Sequence, residues 1–168
     1  ECALQCHPNV CIVSEEVQAN DDSLNDIVDY IAGIVANRAA HGMNYGVVLI
    51  PEGLIEFIPA IGRLISELND LLAEHGDEYK HLDKAEQRRY ILEHLSKDNA
   101  NTFETLPYDV ARQLSLERDP HGNVQVSSIE TDKLLSRMVA AKLRLWKEEG
   151  KFKGHFHTQH HFFGYEGR

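Results

Sequence analysis

The stretch of sequence that decides the fold is Tyr45-Gly46-Val47-Val48-Leu49-Ile50-Pro51-Glu52-Gly53. Residues 47–50 are apolar without interruption, include β-branched side chains and are followed by Pro, which predicts a buried strand of a parallel sheet over residues 46–50. Open α/β sheets bind their ligands at the carboxyl ends of such strands. Glu52 is predicted to lie at this end. There it either accepts hydrogen bonds or a proton from a ligand, or caps the following helix.

The segment before this strand completes a strand–helix–strand unit. Residues 10–13 predict a short buried strand with a polar exit at residues 14–16, followed by a loop over residues 18–22. Ser23 and Asp26 have capping-box spacing and precede a run of apolar residues at helical spacing. This order predicts an α/β fold with a parallel sheet and a right-handed crossover.

Three regions are predicted along the chain, and the first two are residues 1–76 and 77–126. The first contains the strand–helix–strand core and a following helix, for which Pro59 is suited to the first position and Gly76 to the end. The second is more polar and less periodic, and is predicted to be a helical insertion. Within it, Asp83 is placed to cap one helix and Pro107 precedes another.

The third region, residues 127–168, is predicted to return to the core. Ser127 is placed to cap a long helix, and residues 157–163 have the aromatic and polar composition of a strand. The turn after that strand holds Tyr165 and Arg168. The planar fork of an Arg and the hydroxyl of a Tyr suit an anionic group such as phosphate, although the same residues also occur in surface turns without a ligand.

Composition excludes several classes of function. The chain has 168 residues, 42% of them hydrophobic, and a net charge of −10 with no basic patch. This length is enough for one domain with a hydrophobic core, and the charge argues against nucleic acid or an anionic membrane as a partner. No apolar run is long enough to span a membrane.

Two groups of residues are candidate metal ligands, and each also has an interpretation without a metal. Three cysteines lie close together near the N-terminus. They are predicted to be small buried residues and not metal ligands, and free thiols are typical of a reducing cytoplasm. In a strand, His155 and His157 would share a face and could chelate Zn, with His160 and His161 nearby, but an exposed edge strand is favoured. The phosphate-binding glycine motifs of nucleotide-binding proteins are absent from the sequence.

Four segments of the chain have distinctive sequences: Glu1-Cys2-Ala3-Leu4-Gln5, His7-Pro8-Asn9, Pro51-Glu52-Gly53-Leu54-Ile55-Glu56-Phe57-Ile58-Pro59 and His161-Phe162-Phe163-Gly164-Tyr165-Glu166-Gly167-Arg168. Together they resemble the phosphofructokinase superfamily, and more closely its long, pyrophosphate-dependent branch. The resemblance covers the whole chain in order and is weakest over residues 77–126. It implies a three-layer, Rossmann-like, partial phosphofructokinase domain with a helical insertion.

The resemblance also implies an activity, namely reversible phosphoryl transfer from pyrophosphate to O1 of fructose 6-phosphate in glycolysis. By this resemblance Glu52 hydrogen-bonds the sugar, whereas Tyr165 and Arg168 contact the 6-phosphate. ATP-using relatives usually have His where Tyr165 stands, which favours pyrophosphate as the donor. The family is cytoplasmic, uses Mg²⁺ and forms dimers or tetramers, so the protein is expected to do the same.

The family motifs that bind the donor, supply the catalytic aspartate and carry the Met-Gly-Arg substrate sequence are expected upstream of Glu1. The 168 residues are therefore expected to be an internal fragment that is inactive by itself. Two other functions stay open at this point: an ATP-dependent phosphofructokinase, and a non-catalytic regulatory subunit that kept the sugar site.

Overall fold

The computed structural model describes residues 2–116, 123–126 and 129–161. Two short strands, β1 (Val10–Cys11) and β2 (Val48–Leu49), and a 3-10 turn (Leu54–Phe57) are present among them. The helices in this part of the chain are α1 (Cys2–Cys6), α2 (Ser14–Ala19), α3 (Leu24–Ala40), α4 (Pro59–Lys80), α5 (Lys84–His94), α6 (Lys97–Thr105), α7 (Tyr108–Leu116) and α8 (Thr131–Glu148).

β1 and β2 pair in parallel, with Val10 opposite Val48 and Cys11 opposite Leu49, and helices cross over between them. The predicted parallel strand–helix–strand unit is thereby confirmed. The strand predicted over residues 46–50 is confirmed at Val48–Leu49 only, and its predicted burial is wrong, because Val47 and Val48 are 53% and 37% exposed. Within the described residues the sheet has two strands.

The chain divides into two compact units. The first comprises residues 1–12, 24–50 and 130–168, and in its described part α3 packs against α8. Lys142 of α8 forms an ion pair with Asp29 of α3 (Nζ to Oδ1, 2.6 Å), and its ammonium lies 5.7 Å from the ring centroid of Trp146. The apolar side chains buried in these two helices are Ile27, Val28, Ile31, Ala32, Leu134, Leu135, Val139 and Leu143.

The second unit comprises residues 13–23 and 51–129. Its central element is α4, which packs against the 3-10 turn, α5 and α6. Leu64 and Leu68 of α4 are fully buried, as are Ile91 of α5 and Leu114 of α7. The division that the sequence predicts at residues 76 and 126 stays a prediction.

Local signals correctly placed three helix starts. Pro59 is the first residue of α4, as its fixed φ and missing N–H favour. Asp83 accepts hydrogen bonds from the backbone N–H of Ala85 and Glu86 (both 2.8 Å), and Glu86 completes the capping box of α5. α7 begins at Tyr108, directly after Pro107.

Two expectations about where helices begin and end are wrong. Residues 14–16 are not an extended exit from β1 but the start of α2, which buries Val17 and packs against the 3-10 turn. Gly76 does not end α4. The helix kinks at His75 (φ −119°, ψ 15°) and resumes to Lys80, because Tyr79 is buried there and its hydroxyl donates a hydrogen bond to the Ser115 carbonyl at 3.2 Å.

The start of α8 also differs from the prediction. The helix begins at Thr131, and its N-cap residue is Glu130, whose side chain forms no capping hydrogen bond. Ser127, the predicted cap, lies outside the described residues. Among the described residues, no helix combines the length and the apolar character that crossing a membrane requires.

The junction of the 3-10 turn with α4 brings two backbones unusually close. A Cβ atom added at Gly62 would lie 2.7 Å from the carbonyl oxygen of Glu56, a distance that real Cβ atoms essentially never show. Only a glycine therefore fits at this position. Gly33, in the middle of α3, differs because an added Cβ would meet no atom within 4 Å.

We expect Gly62→Ala to lower the free energy of unfolding by about 1 to 2 kcal/mol, because the methyl group forces the 3-10 turn away from α4. Gly33→Ala is the matched control and should raise it by about 0.5 to 1 kcal/mol, since Ala is the better helix former and space is open. Thermal and urea unfolding of both variants checks this. Equal effects of the two substitutions would contradict the steric explanation.

Glu67 of α4 joins that helix to the start of α6. Its carboxylate accepts hydrogen bonds from the Ser96 backbone N–H (2.7 Å), the Ser96 hydroxyl (2.8 Å) and the Asn99 side-chain amide. Burial by itself raises the pKa of this carboxyl, but the hydrogen bonds from Asn99 and Ser96 outweigh it and hold the pKa below its ordinary value of 4.5. The ionised form is therefore stabilised by folding.

A depressed pKa in the folded state contributes stability above the unfolded value of 4.5, and this contribution is lost as the pH falls through the folded value. We expect Glu67→Gln to lower the free energy of unfolding by about 1 kcal/mol at neutral pH, discounted for partial exposure. This difference should shrink as the pH falls below 4.5. Urea unfolding across this pH range measures it. Glu104→Gln, an exposed carboxylate on α6, is the control and should show no such pH dependence.

Candidate functional site

Glu52 lies in the turn between β2 and the 3-10 turn, three residues beyond the last residue of β2. The Leu54 N–H donates to the Pro51 carbonyl at 3.4 Å, and Gly53 adopts the left-handed conformation with φ 73°. A residue with a side chain is strained in this conformation, so Gly53 fixes how the chain leaves β2. The turn holds Glu52 at the carboxyl end of β2, the position that the sequence pattern predicts.

The alternative that Glu52 caps the following helix is wrong. The N-cap residue of the 3-10 turn is Gly53 and that of α4 is Ile58, and neither helix start receives a side-chain capping bond. The Glu52 side chain is exposed, and its carboxylate forms no hydrogen bond or ion pair with another residue in the described ranges. Its acceptor oxygens are thus free of protein donors in this part of the chain.

Two positioning residues that the sequence did not identify hold the start of β2. The Asn9 side-chain oxygen accepts a hydrogen bond from the Val47 N–H at 2.9 Å. Arg38 of α3 donates two hydrogen bonds to the Tyr45 carbonyl, from Nε at 3.3 Å and from Nη2 at 3.1 Å. Asn9 follows Pro8 in one of the motifs, which was a usable signal. The sequence contains no comparable signal for Arg38, because its partner is a backbone carbonyl.

Tyr165 and Arg168 lie outside the described residues. Their predicted contact with a phosphate group, and their predicted role together with Glu52, stay predictions.

The predicted strand over residues 157–163 is wrong for residues 157–161, and the last two positions lie outside the described residues. Residues 151–161 contain no regular element. The backbone N–H groups of Lys151 and Phe152 donate to the Trp146 carbonyl at 2.7 and 3.1 Å, and side chains join later residues to α8. The Ser136 and Thr158 hydroxyls lie 2.7 Å apart, and His160 Nδ1 lies 3.6 Å from Asp132 Oδ2. His155, His157 and His161 are exposed.

Two of the three cysteines depart from the expected burial, and the side chain of Cys2 lies outside the described part of the structure. Cys6 and Cys11 are both exposed free thiols. Cys11 points away from the core because it alternates along the extended chain with Val10 and Ile12, which are 2% and 7% exposed. Among the described residues, no group of three or more His, Cys, Asp or Glu side chains is arranged to hold a metal ion.

Comparison with known proteins confirms the resemblance over the whole chain. Over 168 residues the chain is 60% identical to the pyrophosphate–fructose 6-phosphate 1-phosphotransferase of Porphyromonas gingivalis and covers 31% of that protein. It is 49% identical over 168 residues to the subunit beta of that name from Ricinus communis, of which it covers 29%. The protein of the same name from Treponema pallidum is 48% identical over 169 aligned residues, with 30% covered.

No protein-family model matches the chain. The chain spans about 30% of the length of the curated relatives that it matches. It is homologous, over all of its own residues, to a segment of the pyrophosphate–fructose 6-phosphate 1-phosphotransferases, and this confirms the resemblance to pyrophosphate-dependent phosphofructokinases that its motifs predicted.

Proposed function

We propose that the protein carrying this chain transfers a phosphoryl group reversibly between pyrophosphate and O1 of fructose 6-phosphate, and that this chain supplies part of the sugar-phosphate site. The observation that carries the proposal is the 60% identity over all 168 residues to a protein named for this reaction. The names of the relatives favour pyrophosphate over ATP as the donor, and no observation favours a regulatory subunit without activity.

In the proposed forward reaction, the O1 hydroxyl of the sugar attacks one phosphorus of pyrophosphate. A new P–O bond forms to O1, the bridging P–O bond breaks, and the hydroxyl proton passes to a base outside this chain. Fructose 1,6-bisphosphate and phosphate are the products. Such transfers depend on holding the acceptor in line with the donor and on stabilising charge, so groups that fix the sugar contribute to the rate as well as to binding.

Glu52 is the proposed acceptor for hydroxyl groups of the sugar. Its exposed carboxylate without a protein donor supports this role, because hydrogen bonds to a charged acceptor are stronger than those between neutral groups. Tyr165 and Arg168 are the proposed donors to the 6-phosphate, a role that rests on the motif Gly164-Tyr165-Glu166-Gly167-Arg168. The turn at Gly53 orients Glu52, and Asn9 and Arg38 hold the strand before it.

Further parts of the proposal concern the whole protein. Mg²⁺ would neutralise charge on the pyrophosphate, and we assign its ligands to residues outside this chain. Membership of a cytoplasmic glycolytic pathway and assembly into homodimers or homotetramers are proposed from the family resemblance. The subunit names of the plant relative are compatible with an oligomer.

We expect Glu52→Gln and Arg168→Ala, made in the whole protein, to weaken the use of fructose 6-phosphate. Loss of a charge-assisted contact from each side chain should raise the KM for fructose 6-phosphate at least about tenfold. The KM for pyrophosphate should stay within about twofold, because neither residue is proposed to touch the donor. Steady-state kinetics with each substrate varied in turn measure both constants.

Each of these variants has a matched control. Glu56→Gln removes an exposed carboxylate of the 3-10 turn four residues from Glu52, and Arg89→Ala removes an exposed guanidinium of α5. Both controls should keep the parent KM for fructose 6-phosphate. An unchanged KM in Arg168→Ala or Glu52→Gln would refute the role of that residue.

The isolated 168-residue chain is expected to be inactive, because the proposed donor site and base lie elsewhere in the whole protein. The purified chain is assayed with pyrophosphate, fructose 6-phosphate and Mg²⁺, and bisphosphate formation is followed. Turnover above that of a buffer blank would contradict this expectation. The whole protein assayed in parallel shows that the conditions support the reaction.

A further inference from the structure

Three cationic side chains of the second unit line one cavity. Lys84 and Arg88 lie one turn apart on α5, Arg112 lies on α7, and all three border a cavity of about 40 Å³. Gln87 and Tyr108 line the same cavity and add further hydrogen-bonding groups. The described residues around it include no Asp or Glu.

These three cations have no carboxylate partner among the described residues, whereas some other cations in this part of the chain do. Arg89, the next residue on α5, lies 3.9 Å from Glu93, and Lys151 lies 2.7 Å from Glu149. Within the described ranges, Lys84, Arg88 and Arg112 form no ion pair. Like charges four residues apart on a helix repel each other, so Lys84 and Arg88 destabilise α5 unless an anion compensates.

The wall of the cavity is held in place before any ligand binds. The Tyr79 hydroxyl donates to the Ser115 carbonyl at 3.2 Å, and the Gln87 side chain donates to the Tyr79 carbonyl at 3.2 Å. The Arg88 guanidinium lies 5.3 Å from the ring centroid of Phe103, which is 1% exposed. A preorganised wall lowers the entropic cost of binding.

We propose that this cavity binds a phosphate group, either as free phosphate or as the end of a phosphate monoester. Arg supplies a planar fork that matches phosphate oxygens, and Lys supplies a point charge. A volume of about 40 Å³ holds a few water molecules, which is the scale of a single phosphate group and not of a nucleotide. In a chain of net charge −10, three cations that border one cavity and form no ion pair with a described residue favour an anion as the ligand.

The test is hydrogen–deuterium exchange of the whole protein, measured by peptide, in inorganic phosphate and in sodium chloride of equal ionic strength. We expect phosphate to slow exchange in peptides of α5 and α7, which line the cavity. This local measurement separates the cavity from phosphate bound at the proposed active site. Arg112→Gln and Lys84→Gln should raise the phosphate concentration for half-maximal protection, by at least about tenfold for Arg112→Gln.

Arg89→Gln is the matched control, and its half-maximal concentration should equal that of the parent. Arg112 is the decisive variant because it is exposed, whereas Arg88 also packs on Phe103. A second arm with glycerol phosphate distinguishes the two sources. Protection by inorganic phosphate alone assigns the cavity to free phosphate, and protection by glycerol phosphate assigns it to the end of a monoester; either result supports a phosphate-group site. Absence of local protection with both ligands, or an equal loss in Arg89→Gln, overturns the proposal.

Discussion

The close approach of the 3-10 turn to the first turn of α4 is the constraint on which the second unit depends. Gly62 permits this approach, because any larger residue would place its Cβ against the Glu56 carbonyl. With α4 docked in this way, Leu64 and Leu68 are fully buried, and Glu67 reaches the start of α6. The same turn begins with the left-handed Gly53, so the backbone geometry that positions α4 also determines where Glu52 lies.

Elements decided by local chemistry could be predicted from the sequence. Pro59 and the Asp83 capping box act within one turn of helix, and both start helices where their residue types indicate. Gly76 is also a strong local signal, yet α4 passes it because burial of Tyr79 in the tertiary structure outweighs the cost of one glycine. The helices α2 and α6 were missed for a related reason, since they are short and gain their stability from packing on neighbours.

The candidate site could be predicted only in part. The position of Glu52 could be predicted from the apolar run before it. Only the structure shows that its carboxylate is exposed and does not cap the following helix. The roles of Tyr165 and Arg168 depend on the family resemblance alone. Asn9 and Arg38 bond to backbone groups, and backbone partners leave no trace in residue spacing. The cations around the cavity come from α5 and α7, and only the packing of those helices brings them together.

Trp146 gives the two units different optical properties. It is the single tryptophan of the chain and belongs to the first unit, where the Lys142 ammonium lies near its ring. Tryptophan emission therefore reports on the α3 and α8 pair, whereas far-ultraviolet circular dichroism is weighted toward the helices of the second unit. Unfolding curves from the two signals coincide only if both units melt in one cooperative step. The chain thus carries a built-in fluorescent probe of whether its two units fold together.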